Sequence, residues 1–167
     1  FGFEPKKCGK KMPEDMEFMD IRKGTDVEFG QSIYEPFGIA QFEPLSFGGI
    51  CVVSSVCGCA GFIKRICNPQ EVRNVIIADY TNLNGMASGN IDELLKINLE
   101  IRDKLEHNVS RDVAAQIMAN LPKNEEDLAD MINRGYLLAS QMSWGVVVEN
   151  YILPGLPKNG AVKNQPA

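Results

Sequence analysis

The sequence predicts an α/β fold with a parallel sheet, followed by a helical segment. Two continuous apolar, β-branched runs, ICVVSS at 50–55 and NVIIADY at 74–80, have the pattern of strands that are buried on both faces. Between them, VCGCAGFIKRIC supplies a glycine-bearing loop and a short helix, which completes a strand, helix, strand order. From residue 90 onward the pattern changes to that of amphipathic helices.

The segment before the first buried run has weaker signals. Residues 1–16 are rich in Lys, Pro, Glu and Gly, and Gly24 breaks the short ordered stretch that follows. Val27 to Phe29 are predicted to form a brief strand that runs into the next segment.

A short or kinked helix is predicted from Pro36, because proline is tolerated at the first helical position. Pro44 interrupts the pattern, and the glycines 48 and 49 end it. The apolar residues at helical spacing are Ile39, Phe42 and Leu45.

In the second half of the chain, the spacing of apolar residues and the cap residues predict three helices. In the run NIDELLKINLEIRDKLEH, Asn90 and Glu93 have the pattern of a helix start. The apolar face of this helix is formed by Leu94, Ile97, Ile101 and Leu105. The run NEEDLADMINRGYLLASQM is capped by Asn124 and buries a stripe formed by Leu128, Met131, Ile132, Leu138 and Met142. A last short helix, SWGVVVENYIL, is expected to end at Pro154-Gly155.

These patterns divide the chain into three segments. Residues 1–25 are expected to be a loop or a frayed edge, 26–153 an ordered α/β unit with C-terminal helices, and 154–167 a flexible tail. The chain opens at Phe1 in the middle of a pattern, so we expect it to be a fragment of one domain.

The charge balance argues against two classes of partner. The 167 residues include 17 basic and 22 acidic side chains, which give a net charge of −5. Nucleic acid and anionic membranes are therefore not expected as partners. No apolar run approaches the roughly 20 residues that a membrane-spanning helix needs, and the start lacks the apolar centre of a signal peptide. A cytoplasmic protein is expected.

Five cysteines, an odd number, suit a reducing compartment better than a disulfide framework. Four of them lie close in sequence, at positions 51, 57, 59 and 67, which raises the possibility of a zinc site. Their spacings do not match the two-residue knuckles of structural zinc sites, and Cys51 lies inside an apolar strand. Buried thiols are therefore preferred over a metal site.

Glu35 and Glu43 are eight positions apart across the segment predicted as a helix. On a helix this spacing corresponds to about 12 Å of rise. It is too long for a carboxylate pair that acts on one glycosidic bond, where the separation is about 5 to 9.5 Å. The amides of the first turn, together with the helix dipole, form an expected phosphate site. These amides belong to Phe37, Gly38, Ile39 and Ala40.

The segment YEPFGIAQFEPLSFGG, with the buried strand and glycine-containing loop that follow it, resembles the E-x7-E motif region of retaining glycosyltransferases of the GT-B class, close to glycogen and starch synthases. The resemblance runs from about Asp26 to Phe62. A second segment, SQMSWGVVVENYILPGL, resembles the family's Ser-Trp pair before a Tyr-bearing terminal helix. The resemblance implies a partial Rossmann-like parallel sheet, the C-terminal half of a GT-B nucleotide-binding domain.

The resemblance also implies roles for the motif residues. Glu35 is the expected catalytic residue, which binds hydroxyls of the donor sugar near the reacting carbon. The amides of residues 37–40 hold the distal phosphate, and Glu43 binds the ribose. The implied reaction transfers a sugar, glucose in the first instance, from an ADP- or UDP-sugar to a glycan acceptor with retention of configuration. The family usually needs no metal, and no cofactor is expected.

The family's acceptor site, its important histidine and its basic diphosphate-binding residues lie outside the matched region. The resemblance therefore implies a missing N-terminal domain as a partner, and the fragment alone is not expected to catalyse transfer. His107 is predicted to be a solvated surface residue. The loop SSVCGCAGF replaces the Gly-Gly stretch that is usual in the family.

Other interpretations remain open on the sequence. Glu35 would be a helix cap and Glu43 a solvated helix residue if the two glutamates had only structural roles. A non-catalytic α/β binding or scaffold module that retains the motif but lacks the partner domain is an alternative function. A nucleotide-sugar epimerase of the same architecture is a third possibility. Trp144 and Tyr151 would either line a sugar site or, as is more common at this spacing, pack in a core or between domains.

Overall fold

A three-stranded parallel sheet organises the first half of the chain. Its strands β1 (Val27–Gly30), β2 (Ile50–Ser54) and β3 (Val75–Ala78) lie in the order β1-β2-β3. The computed structural model describes residues 7, 12–30, 35–81 and 90–156, without the side chains of residues 70 and 94. The predicted α/β class, the parallel sheet and all three strands are confirmed.

The central strand β2 is buried at every position, as its continuous apolar run predicts. Its alternate residues pack into two different apolar clusters because successive side chains point to opposite faces of a strand. One cluster contains Cys51 and Val53 with residues of the following helix, and the other contains Ile50 and Val52 with residues of the C-terminal helices.

Seven α-helical segments occur in the described residues. The first two are α1 (Phe18–Lys23) and α2 (Gly58–Ile66), where α2 is the crossover helix between β2 and β3. The others are α3 (Ile91–Leu94), α4 (Leu99–Asn120), α5 (Glu125–Ser140), α6 (Trp144–Val147) and α7 (Leu153–Gly155). Helix α1 lies inside the stretch expected to be a loop or a frayed edge, and Gly24 ends it as predicted.

The prediction of one continuous helix from Asn90 is wrong, because two helices occupy this part of the chain. Asn90 caps α3 as expected, since its side chain accepts a hydrogen bond from the Asp92 amide at 2.9 Å. A second cap follows at Asn98, whose side chain accepts from the Ile101 amide at 3.0 Å and starts the 22-residue helix α4. Two caps eight residues apart produce a short helix and a long one in place of a continuous helix.

Helix α5 is confirmed with its cap, since the Asn124 side chain accepts from the Asp127 amide at 2.8 Å. Of the predicted stripe, Met131 and Leu138 are buried, whereas Leu128 and Ile132 are exposed by 43% and 39%. The buried face is centred on glycine 135, where a Cβ atom would overlap the Leu45 carbonyl oxygen. The close approach of backbone at this position determines which side of α5 packs against the segment that contains Leu45.

The last predicted helix is confirmed in three parts. Helix α6 continues into a π-helical turn, Val148–Ile152, and then into α7, which contains both Pro154 and Gly155. The helix therefore ends after the Pro-Gly pair. Residues 157–167 of the predicted tail lie outside the described residues. No helix in the described part of the chain is long and apolar enough to cross a membrane.

Arg73, which lies just before β3, connects the turn between α4 and α5 to the sheet. Its guanidinium donates hydrogen bonds to the carbonyls of Asn120, at 3.3 Å, and Leu121, at 3.2 Å. It also forms a 3.2 Å ion pair with Asp127 in the first turn of α5. A backbone hydrogen bond from the Lys123 amide, and then the bond to Arg73, lower the pKa of Asp127 below its ordinary value of 3.8.

This arrangement predicts an acid-sensitive contribution to stability from Asp127. Because the folded-state pKa is lowered, the contribution is present above pH 3.8 and is lost as the pH falls through the folded-state pKa. We expect Asp127→Asn to lower the urea midpoint at neutral pH, with the difference from wild type shrinking below about pH 4. Asp130→Asn, the same charge change on an exposed residue of α5, is the control. A difference in urea midpoint between Asp127→Asn and wild type that grows towards acid pH would contradict the stabilising role of the Asp127 carboxylate.

Candidate functional site

The described part of the motif segment, which starts at Glu35, lies beside the N-terminus of α2 at the carboxyl edge of the parallel sheet. The amide of Gly58, the first residue of α2, donates to the Glu35 carbonyl at 3.2 Å, and the Cys59 amide donates to the Phe37 carbonyl at 3.0 Å. Because α2 follows β2 directly, these bonds place Glu35 beside the end of the central strand. In open α/β sheets, ligands bind at this edge.

Two 3₁₀ turns, Ile39–Gln41 and Glu43–Phe47, replace the predicted helix after Pro36. Gly38 adopts a left-handed conformation, with φ at +88°, and so lies outside any helix. Pro44 has no amide hydrogen to donate to the preceding turn. The predicted end at the glycines is confirmed, because Gly48 also has φ at +88° and caps the second turn.

This shape corrects the geometry expected for the two glutamates. Glu35 lies outside any helix, and Glu43 opens the second 3₁₀ turn, so the helical rise between them does not apply. The first turn has only three residues, Ile39–Gln41, and therefore lacks the dipole of a full α-helix. Tyr34, the first residue of the motif segment, lies outside the described residues.

The amides expected to hold a phosphate have no acceptor within the described residues. The first bonded amide after them is that of Gln41, which donates to the Gly38 carbonyl at 3.2 Å. The Phe42 amide donates to the Ile39 carbonyl at 3.0 Å. The four unbonded amides belong to Phe37, Gly38, Ile39 and Ala40. Adjacent amides without internal partners provide hydrogen-bond donors for an anion.

Gly38 is required by the protein's own packing. A Cβ atom there would lie 2.5 Å from Gln41 Oε1 and 3.0 Å from Cys57 Sγ. The left-handed backbone also disfavours any other residue. The expected close approach of a ligand to this glycine is therefore limited to its amide, because the side-chain direction is filled.

Glu43 is part of a charged cluster centred on Arg22. Arg22 Nη1 donates to Glu28 Oε2 at 2.7 Å, and Arg22 Nε lies 3.1 Å from Glu43 Oε2. The Nε hydrogen is not directed at the carboxylate, so the second contact is an ion pair without a hydrogen bond. Glu43 keeps its other carboxylate oxygen for a further donor.

A large cleft of about 660 Å³ runs along this segment. Three predicted site residues line it: Phe37, Ile39 and Glu43. The opposite wall comes from α2 and from the C-terminal helices, and it includes Phe62, Arg65, Trp144 and Tyr151. Glu35, Gly38 and Ala40 are not part of this lining. The structure therefore brings Glu43 together with Phe37 and Ile39 at the cleft and keeps Glu35 at the end of the strand.

Trp144 and Tyr151 are not core residues within the described chain. Trp144 is 80% exposed and Tyr151 is 44% exposed, and both line the cleft. Their exposure leaves a sugar-stacking role or packing against another domain open. His107 is exposed on α4, as predicted. The predicted burial is confirmed for Cys51, Cys57 and Cys59, whereas Cys67 is only half-buried. Burial raises the pKa of Cys51 to about 12.

Sequence reasoning missed two charged residues at or near the site. Arg65 lines the cleft from the last turn of α2, a position that no local motif marks. Asp79 follows β3 and accepts hydrogen bonds from the Ser55 hydroxyl at 2.9 Å and the Thr81 hydroxyl at 2.6 Å. An acidic residue directly after a buried strand was a usable signal, because strand ends meet at one edge of a parallel sheet.

No family model and no curated protein matches this chain. The resemblance to retaining glycosyltransferases therefore depends on the motif segment and its surroundings alone.

Gly58 determines how the motif segment contacts α2. A Cβ atom at this position would overlap the Pro36 carbonyl oxygen, whereas one at Gly61, on the same helix, would have no neighbour within 4 Å. We expect Gly58→Ala to lower the free energy of unfolding by about 1–3 kcal/mol through this overlap. Gly61→Ala should leave it unchanged or raise it by up to about 1 kcal/mol, because alanine favours helix. Urea unfolding of both variants measures the difference, and equal effects would contradict the close contact.

Proposed function

We propose that this chain is the donor-binding part of a cytoplasmic retaining glycosyltransferase similar to glycogen and starch synthases. It would be the C-terminal half of a Rossmann-like GT-B nucleotide-binding domain. The donor is a nucleoside diphosphate sugar, glucose in the first instance, and the acceptor is a glycan. A second, N-terminal domain supplies the acceptor side of the active site.

One observation carries the proposal: Glu35, the unbonded amides of residues 37–40 and Glu43 follow one another along a single segment that starts at the carboxyl end of β2. The segment also borders the cleft of about 660 Å³. Arg65 adds a positive charge on the opposite wall of the same cleft. Amides and a cation are the groups that stabilise a diphosphate without a metal.

The proposed reaction assigns each residue a separate task. The bond between the anomeric carbon and the diphosphate breaks as the acceptor oxygen bonds to that carbon, and the acceptor proton leaves with the diphosphate. Glu35 holds hydroxyls of the sugar and orients the anomeric carbon. The amides of residues 37–40 donate to the departing phosphate, where negative charge develops. Glu43 binds the ribose hydroxyls with the carboxylate oxygen that Arg22 does not contact.

Nucleotide binding by Glu43 has a matched control within the chain. Glu28 and Glu43 both contact Arg22, but of the two only Glu43 lines the cleft. We expect Glu43→Gln to weaken UDP-glucose or ADP-glucose binding by about tenfold, the loss of one charge-assisted hydrogen bond. Glu28→Gln should leave binding unchanged. Calorimetric titration of both variants tests this, and equal losses would mean that Arg22, rather than the ribose, accounts for the effect.

Catalysis tests the assignment of Glu35. In the enzyme that contains this chain, we expect Glu35→Gln to lower kcat by about 100-fold or more while the Kd for the nucleoside diphosphate stays close to wild type. The reason is that Glu35 contacts the sugar alone. Turnover of labelled donor with an oligoglucan measures the effect. Wild-type kcat in this variant would contradict the proposal.

The alternative functions predict different outcomes in the same assays. A non-catalytic α/β binding module would bind the donor without turnover. A nucleotide-sugar epimerase would convert the donor to its epimer without an acceptor. Product analysis therefore separates the three.

A further inference from the structure

Cys57 and Cys59 form a buried pair of free thiols at the start of α2. Their Sγ atoms are 3.0 Å apart, and only Gly58 separates them in sequence. Cys57 is 3% exposed and Cys59 is fully buried. A disulfide bond is about 2.05 Å long, so the two sulfurs need to move closer by only about 1 Å to bond.

The thiols also contact the motif segment. Cys57 Sγ lies 3.0 Å from the Phe37 carbonyl oxygen and 3.3 Å from Gln41 Oε1, and it can donate its one hydrogen to either. Cys59 Sγ lies 3.9 Å from the same Gln41 oxygen, a weaker contact. Gln41 is itself buried at 9% exposure. The two S–H groups are the donors that Gln41 Oε1 has among the described residues.

We propose that Cys57 and Cys59 are a site of reversible oxidation, which reacts with a low-molecular-weight disulfide such as glutathione disulfide. The thiolate of Cys57 attacks one sulfur of glutathione disulfide, forms a mixed disulfide and releases one glutathione. Cys59 then attacks the Cys57 sulfur, forms the internal disulfide and releases the second glutathione. The two protein thiols lose two electrons and two protons, which the two released glutathione thiols carry away. This inference does not depend on the proposed function.

The surroundings favour an internal disulfide over a stable mixed one. The second thiol is already in contact with the first, so Cys59 can displace glutathione from the mixed disulfide soon after it forms. Cys57 is the site of first attack because it is the less buried thiol and lies between the exposed residues Val56 and Gly58. Burial and the contact with Cys57 raise the pKa of Cys59, so the reaction is slow at neutral pH and accelerates as the pH rises.

Oxidation changes the support of the motif segment. Both S–H donors disappear, so Gln41 Oε1 loses the partners it has among the described residues, whereas the Phe37 carbonyl keeps the Cys59 amide. A buried acceptor without a donor is unfavourable. The segment 35–41 is therefore less firmly held in the oxidised protein.

The experiment equilibrates the full chain in buffers of increasing glutathione disulfide to glutathione ratio and maps the products by mass spectrometry. We expect loss of two hydrogens and a disulfide that is absent from Cys57→Ser and from Cys59→Ser. The control Cys67→Ser, a half-buried thiol on the far end of α2, should retain it. The protected amides to follow are those of Gln41, Phe42 and Gly58, which donate to carbonyls of the segment 35–41. Their exchange should accelerate on the order of tenfold on oxidation, while exchange in α5 stays unchanged.

Three results would overturn the proposal. They are a stable glutathione adduct at Cys57, a disulfide that involves any other cysteine, and no oxidation of the folded chain at ratios that oxidise the urea-unfolded chain. If the serine variants do not fold, Gln41→Met keeps both thiols and removes their acceptor. In this variant the glutathione disulfide to glutathione ratio at which half of the protein is oxidised should fall about two- to tenfold, because the reduced state loses its hydrogen bonds. An unchanged midpoint would also overturn the proposal.

Discussion

Burial of the central strand β2 on both faces is the constraint on which the rest of the structure depends. Its residues Ile50 to Ser54 are at most 1% exposed, and four of the five are apolar. Such a strand is stable only when each face is covered, since exposed apolar area costs about 25 cal/mol per Å². Helix α2, the 3₁₀ turns and Leu138 of α5 cover one face, and α4 together with Met131 of α5 covers the other.

The cover on the first face also determines the position of the motif segment. The segment is held at the start of α2 because its carbonyls accept the first amide hydrogens of that helix. Glycine 58 permits the contact, since any side chain there would overlap the Pro36 carbonyl oxygen. The N-terminus of α2 is consequently occupied by protein groups, and the amides of residues 37–40 are the donors left for an anion.

The two motif glutamates differ because of their neighbours. Arg22 contacts both Glu28 and Glu43, so its single positive charge faces two carboxylates. The contact with Glu43 also attaches α1 to the second 3₁₀ turn. Arg22 itself is mostly shielded, with 12% of its side chain exposed, so the cluster is screened less by water than a surface ion pair. Glu35 has its carbonyl fixed by the Gly58 amide. The segment therefore presents one carboxylate in an ion pair and one at the end of the sheet.

The sequence by itself determined the parts of this protein that follow from local pattern. The buried strands β2 and β3, the crossover helix α2, the caps at Asn90 and Asn124 and the end at Gly48 were all predictable, because continuous apolar runs, cap residues and glycines act through near neighbours. The tertiary structure decided the rest. The 3₁₀ turns, the partner of Glu43 and the thiol contact at Gln41 each involve groups brought together by the packing of α1 or α2 against the loop. Such contacts leave no periodic signal in the chain, since their residues are separated in sequence and meet only when β2 is covered.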